Sequence, residues 1–202
     1  MPRNLYLASR SPRRLELLRQ VGLHPTILSL RGSLGRLDVD ELPLPAESGM
    51  EYVSRLARRK VEAGVSAQQR RGLPPWAIVA ADTTVTLDGR ILGKPADAES
   101  AATMLRLYSG RTHTVWTAVA VAFQGQVRMA LNDSQVRFRP LSEDEIAAYI
   151  ASGEPFDKAG GYGIQGRAAL FIEHLSGSYS GVMGLPLCET ARILQEVGFE
   201  MW

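Results

Sequence analysis

The chain has 202 residues, 45% of them hydrophobic, enough to bury a full core as one large domain or two closely joined lobes. Twenty-three Lys and Arg against 21 Asp and Glu leave a net charge of only +2. That charge supplies no basic field for duplex DNA, RNA or a membrane surface, so whatever its arginines do is local.

In chain order, a strand-like LYLA precedes SRSPRRLELLRQVG. Ser11 is a good N-cap, Pro12 suits the first helical position, and Leu15, Leu18 and Val21 recur at helical spacing before Gly22. Arg13 and Arg14 therefore fall in the first turn, at the positive end of the helix dipole, where cations cost up to about 1 kcal/mol. Either the two are solvated and bear that penalty, or an anion such as phosphate reverses its sign, held by free N–H groups, Ser9, Ser11 and the guanidinium forks. TILSL reads as a strand, and LRGSLGRLDVDELPLPAES as a long, mobile loop. From about Met50 a helix is predicted, with Val53, Leu56, Ala57 and Val61 on one face. Lys60 shares that apolar side, either snorkelling to water or aiming its ammonium into a cleft.

WAIVAAD is an apolar run ending in Asp82, which places an acid at a sheet edge or strand end, and Asp88-Gly89 reads as a hairpin turn. A helix follows between the cap Asp97 and the stop Gly110. Two long strands are predicted about Gln124-Gly125, with a third around Val136 and Phe138. A capping box, Ser142 with Glu145, opens a helix that ends at Gly153. The Gly-dense DKAGGYGIQG, the strand-like ALFIEHL, and GSYSGVMGLPL leading into an amphipathic helix with Leu187, Ala191, Leu194 and Val197 complete the chain. With no repeat, low-complexity tract or linker, the expected architecture is α/β: one domain over residues 1–202, with an extended mixed sheet flanked by helices and loops converging on a groove.

Several chemistries are disfavoured by spacing. GRILGKP lacks the P-loop pattern, and GGYGIQG follows a helix and precedes a strand, the reverse of a dinucleotide fingerprint. Ser176, Ser178 and Ser180 have no GxSxG elbow. Cys188 stands alone, excluding an internal disulfide, and His24, His113 and His174 lack metal-site spacing. The N-terminus carries no long apolar segment, so the cytoplasm is the expected compartment. What remains is a set of cations (Arg13, Arg14, Lys60, Lys94, Lys158) and carboxylates (Asp40, Glu41, Asp82, Asp157) beside a glycine loop. Those are parts suited to a magnesium-bound polyphosphate.

The segments LASRSPRR, DVDE, RLARRK, AADTTV, GKP, SGRTHTVWTAVAV, EPFDKAGGYGIQG and GSYSGVMGLPL occur in the order and approximate spacing of a known family. Nearly end to end, the sequence resembles the Maf family of nucleoside triphosphate pyrophosphatases. The resemblance implies hydrolysis of a nucleoside triphosphate to monophosphate and pyrophosphate with a divalent cation, Mg2+ or Mn2+. It also implies a two-lobed fold similar to inosine triphosphate pyrophosphatases. By the same resemblance, Asp82 matches the general base, and Ser9, Arg13 and Arg14 match the phosphate-binding loop. Glu41, Lys60 and Lys94 match other polar cleft residues, and the metal is expected on phosphate oxygens together with Glu41 or Asp82. The branch acting on dTTP and UTP looks like this chain at Arg13, Thr83 and Gln165. The branch acting on 7-methyl-GTP differs in the segments equivalent to ADT and YGIQG. Departures are Val61 after Lys60, the GVMGLPL run, and a longer segment before DVDE. Alternatives are the same fold acting on non-standard or modified purine triphosphates, or a nucleotide-binding regulator of septum formation without turnover. The near-zero charge argues against nucleic acid as a partner, and a homodimer is left open.

Overall fold

The computed structural model describes residues 4–30 and 39–201. A seven-stranded mixed sheet runs in the order β2 (Thr26–Ile27), β1 (Leu5–Leu7), β3 (Ala77–Leu87), β5 (Thr112–Phe123), β6 (Gln126–Phe138), β7 (Ile172–Ser176), with β4 (Arg90–Leu92) pairing β3. β1 is parallel to β2 and β3, and all other pairings are antiparallel. The helices are α1 (Pro12–Gln20), α2 (Gly49–Arg70), α3 (Ala98–Tyr108), α4 (Glu143–Ala151), α5 (Tyr179–Met183) and α6 (Leu187–Glu196). None of these helices is long and apolar enough to cross a membrane.

The hairpins follow their turn chemistry. Asp88 and Gly89, like Gln124 and Gly125, have positive φ at both central positions, the twist that two-residue turns between right-twisted strands require. The capping boxes at Ser48, Asp97 and Ser142 satisfy the first N–H groups of α2, α3 and α4. α1 differs: its N-cap, Ser11, makes no side-chain capping bond, and no acid lies in its first turn.

Alternation along β3 builds two cores. Ala77, Val79 and Ala81 face α1 and α6, meeting Leu17, Leu18, Ile193 and Leu194; Ile78 and Ala80 face α2, meeting Val53, Ala57 and Val61. Small residues allow α2 to lie close, and a Cβ at Gly64 would sit 3.0 Å from the Ile78 side chain. Beyond Asp82 the same strand enters a third core with α3 and α4, built on Val85, Tyr108, Val136, Phe138 and Tyr149.

Both β1 and β4 pair with one edge of β3, but β1 stops at Val79 and β4 begins at Val85. Residues 80–84 therefore have no strand neighbour on that edge among the described residues. Asp82 therefore lies mid-strand rather than at a strand end, while the sheet edge that its position in the sequence also allowed is met locally, at the gap between β1 and β4.

Four other expectations shift. The strand within TILSL shortens to Thr26–Ile27, and the separate strand at Val136 and Phe138 is the end of β6. ALFIEHL begins as a 3-10 turn, Arg167–Phe171, before β7 starts, and α5 intervenes in GSYSGVM. The strand limits follow their partners on β1, β5 and β6, whereas α5 starts at a local cap, the Ser178 side chain accepting from the Gly181 N–H. The first part of the long loop, including the extra length before DVDE, lies outside the described residues.

In the third core His113 is 2% exposed, with Nε2 2.7 Å from the Tyr162 hydroxyl. Burial pushes its pKa down from 6.5 to about 3. The folded chain thus binds fewer protons there than the unfolded chain between those values. The stability His113 contributes is present above pH 6.5 and falls with pH at up to about 1.4 kcal/mol per unit. Urea unfolding from pH 7 to 5 should show this decline, and His113→Gln should flatten it; equal slopes would contradict the assignment.

Candidate active site

The gap in β3 opens into a cavity of about 720 Å³. It wraps the uncovered strand edge, so Asp82 and Thr83, which point to opposite faces of the sheet, both line it. Ser9, Arg13, Arg14, Glu41, Lys60, Lys94 and Gln165 line it too, as do Asp157 and Lys158. All but one of the candidate residues named from the sequence therefore reach one cavity. Asp40 does not line it, and instead accepts the Leu42 N–H at 3.0 Å within its own loop.

α2 supplies the central cation. Lys60 Nζ lies 2.5 Å from Asp82 Oδ1 and 2.7 Å from Glu41 Oε1, with its side chain 13% exposed. The ammonium thus points into the cleft. Burial pushes the Asp82 carboxyl above its ordinary value, and this outweighs the opposing pull of Lys60 and Arg14. Tyr52, about two turns earlier on α2 and also lining the cavity, donates to the Glu41 carbonyl oxygen at 2.9 Å. Burial, followed by the charges of Asp82 and Glu41, pushes its phenol up to about 12, so it remains a donor.

The two arginines of α1 have different surroundings. Arg14 is fixed by protein atoms: Nε donates to the Gly184 carbonyl at 2.7 Å, and its terminal nitrogens donate to Ser9 Oγ and Thr83 Oγ1, both at 3.2 Å. Thr117 Oγ1 lies 3.0 Å from Thr83 Oγ1 and donates to the Gly181 carbonyl at 2.8 Å. Since each hydroxyl has one proton, Thr83 donates to Thr117, and its oxygen is left to receive Arg14. Burial pushes Arg14 below its ordinary pKa, with Asp82 opposing. Arg13 instead reaches across the cleft to Asp157 at 3.0 Å. Asp157 also takes Lys158 Nζ at 2.5 Å. Burial raises the Asp157 pKa, but hydrogen bonds from Lys158 and Arg13 outweigh it, and the net shift is downward.

The glycine loop packs where side chains would not fit. Gly160 has φ +75°, donates its N–H to Gly93 O at 2.9 Å, and a Cβ there would collide with Val85. Glu154, which the sequence did not single out, organises this loop. It accepts from Tyr149 at 3.0 Å and from the Arg167 N–H at 2.9 Å, and its carboxylate lies against Gly166. Only the glycine density nearby could have signalled it.

Among the described residues no group of three or more His, Cys, Asp or Glu side chains converges to hold a metal. Glu41 and Asp82 nevertheless converge on one cation, the Lys60 ammonium, and both are hard oxygen donors. A pair of carboxylates completed by substrate phosphates is how magnesium is commonly bound, so the residues fit such an ion.

The Maf-like protein family model matches residues 4–197. The chain belongs to this family. Across 199 residues it is 56% identical to the dTTP/UTP pyrophosphatase of Nitrosomonas europaea, covering 98% of this chain and 96% of the relative. It is equally similar, at 56% over 199 residues, to that of Aromatoleum aromaticum, covering 98% and 97%. Among solved structures the Ham1 protein of Staphylococcus aureus overlaps with a TM-score of 0.45 at 14% identity, over 67% of this chain and 71% of that one.

The Arg14 contacts predict an effect on stability. A lysine cannot serve Gly184, Ser9 and Thr83 at once, so Arg14→Lys should lower the unfolding free energy by about 1–3 kcal/mol. Denaturant unfolding indistinguishable from the parent would contradict this keystone role.

Proposed function

We propose that this protein hydrolyses dTTP and UTP to the nucleoside monophosphate and pyrophosphate, with Asp82 as general base. The observation that carries this reading is the buried Asp82 carboxylate, paired with Lys60 at 2.5 Å, in a cavity that Arg13, Arg14, Lys94 and Lys158 also line. The names of the relatives support the pyrimidine assignment.

A triphosphate carries about four negative charges, so catalysis is mostly positioning and charge neutralisation. Arg13, Lys60 and Lys94 face the phosphates, and Arg14 keeps the loop at Ser9 in place while offering its remaining N–H groups. Glu41 and Asp82 would hold a divalent cation, which when bound neutralises phosphate charge. Asp82 takes one proton from the water whose oxygen bonds to the α-phosphorus, and the α–β anhydride bond breaks, its electron pair leaving with pyrophosphate. A carboxyl raised by burial is the stronger base, which suits this step. The uncapped N-terminus of α1 adds N–H groups to the anion site, so the first-turn arginines and the helix dipole act together on one anion.

Selection of the base is assigned to Gln165, exposed on the glycine loop, whose amide pairs with the base edge. A site that leaves polar groups unpaired rejects the wrong partner strongly. Thr83 contributes through Arg14, because its hydroxyl is already engaged by Arg14 and Thr117.

Asp82→Asn should fold and bind UTP yet lose about two or more orders of magnitude in turnover; turnover near the parent's would remove Asp82 from this role. Gln165→Ala should blunt the preference for UTP over GTP more than it slows turnover. An unchanged kcat/KM ratio for the two nucleotides would sink the selection model.

A further inference from the structure

Glu41 lies on a segment that has little else to hold it. Val39 at its start is buried, but Leu42 is 73% and Leu44 51% exposed, so residues 40–48 gain little from apolar burial. Order must come from polar contacts, and these converge on one arginine. Arg55 of α2 grips Glu47 with a two-point fork, Nε to Oε1 at 2.5 Å and a terminal nitrogen to Oε2 at 2.6 Å. The same terminal nitrogen donates to the Leu42 carbonyl at 3.1 Å. The Leu44 N–H donates to Glu47 Oε2 at 3.0 Å, closing the turn on itself. The Arg55–Glu47 pair is sheltered, with side chains 15% and 7% exposed, unlike the surface pairs Arg106–Glu143 and Arg111–Asp88.

These contacts bracket Glu41. Its carbonyl is held by Tyr52, the carbonyl of the next residue is held by Arg55, and its carboxylate meets Lys60. All three partners belong to α2, so one rigid helix fixes the acid at its backbone and at its side chain. We infer that Arg55 is a positioning residue, whose fork on Glu47 and Leu42 sets where the Glu41 carboxylate stands beside Lys60 and Asp82. It does not line the cavity, and its guanidinium also lies 5.6 Å from the centre of the Tyr52 ring, whose hydroxyl holds the Glu41 carbonyl, so its effect reaches the site through the Glu41 segment. This rests on the reading that Glu41 belongs to the active site.

The test compares the full chain with Arg55→Gln, with Arg55→Lys, which keeps the charge and stem but loses the fork, and with both in a Glu41→Gln background. Amide exchange in residues 40–48 should speed up about tenfold or more while peptides of β3 and β5 keep their protection. By calorimetry, Mn2+ should bind more weakly to the complex with a non-hydrolysable UTP analogue. Turnover should fall about tenfold in the parent, but less than about twofold once Glu41 is already Gln, because the two act as a unit.

Equal losses in both backgrounds, or unchanged exchange in 40–48, would overturn the inference and leave Arg55 as an ordinary stabilising ion pair. Where Arg55→Gln does not fold, Arg55→Lys carries the same comparison. If Glu41→Gln alone keeps parent turnover, the reading of Glu41 fails first, and this inference fails with it. If Glu41→Gln is impaired while Arg55→Gln is silent, only this inference fails.

Discussion

A carboxylate in the middle of a central strand needs a cation beside it, and the arrangement of this molecule follows from meeting that need. Asp82 is 7% exposed, with alanines before it and threonines after it on β3. Its companion, Lys60, comes from the face of α2 that otherwise packs on the sheet. An unpaired buried charge costs several kcal/mol, and a paired one returns part of that only when its geometry is good. Much of α2, its capping box, its small residues toward the sheet and its grip on the Glu41 loop, keeps that ammonium where both carboxylates can use it.

The second constraint is topological. β3 is long enough to serve three cores, but its partners on one edge are short and leave a gap between them. That gap gives one cavity access to both faces of the sheet, bringing α2 side chains from one face and α1 and α5 groups from the other to the same place. The Arg14–Thr83–Thr117 chain ties the second face together, linking α1, the sheet, and the backbone at Gly181 and Gly184. Stability and the proposed chemistry are therefore entangled at the cleft, since Arg14, which lines it, also joins the elements around it.

Much of the fold was legible in local chemistry. Hairpins at Asp88-Gly89 and Gln124-Gly125, caps at Asp97 and Ser142, and the apolar face of α2 depend on short-range geometry, and the structure has each of them. The arginines of the first turn stood out as locally inconsistent, cations at the positive end of a helix with no acidic cap, and the structure turns both into the cleft, Arg13 to Asp157 and Arg14 to Gly184, Ser9 and Thr83. The sequence did not reveal what depends on distant partners. The place of Asp82 within the strand followed from where β1 and β4 end. The roles of Thr83, Glu154 and Arg55 followed from contacts with residues that no spacing rule connects, such as Thr83 with Arg14, 69 positions away. Arg55 in particular reads as one more charge on a helix surface until its fork on Glu47 is seen.

The central claim is that the charged groups around Asp82 form a pyrophosphohydrolase site for pyrimidine triphosphates. It is tested most directly by incubating the purified protein with UTP, dTTP and purine triphosphates, with magnesium or with chelator, and separating the products by anion exchange. The account predicts UMP or dTMP with pyrophosphate from the pyrimidine nucleotides, and no turnover in chelator. UDP or dTDP with inorganic phosphate, turnover of purines alone, or no turnover by a folded sample would contradict it.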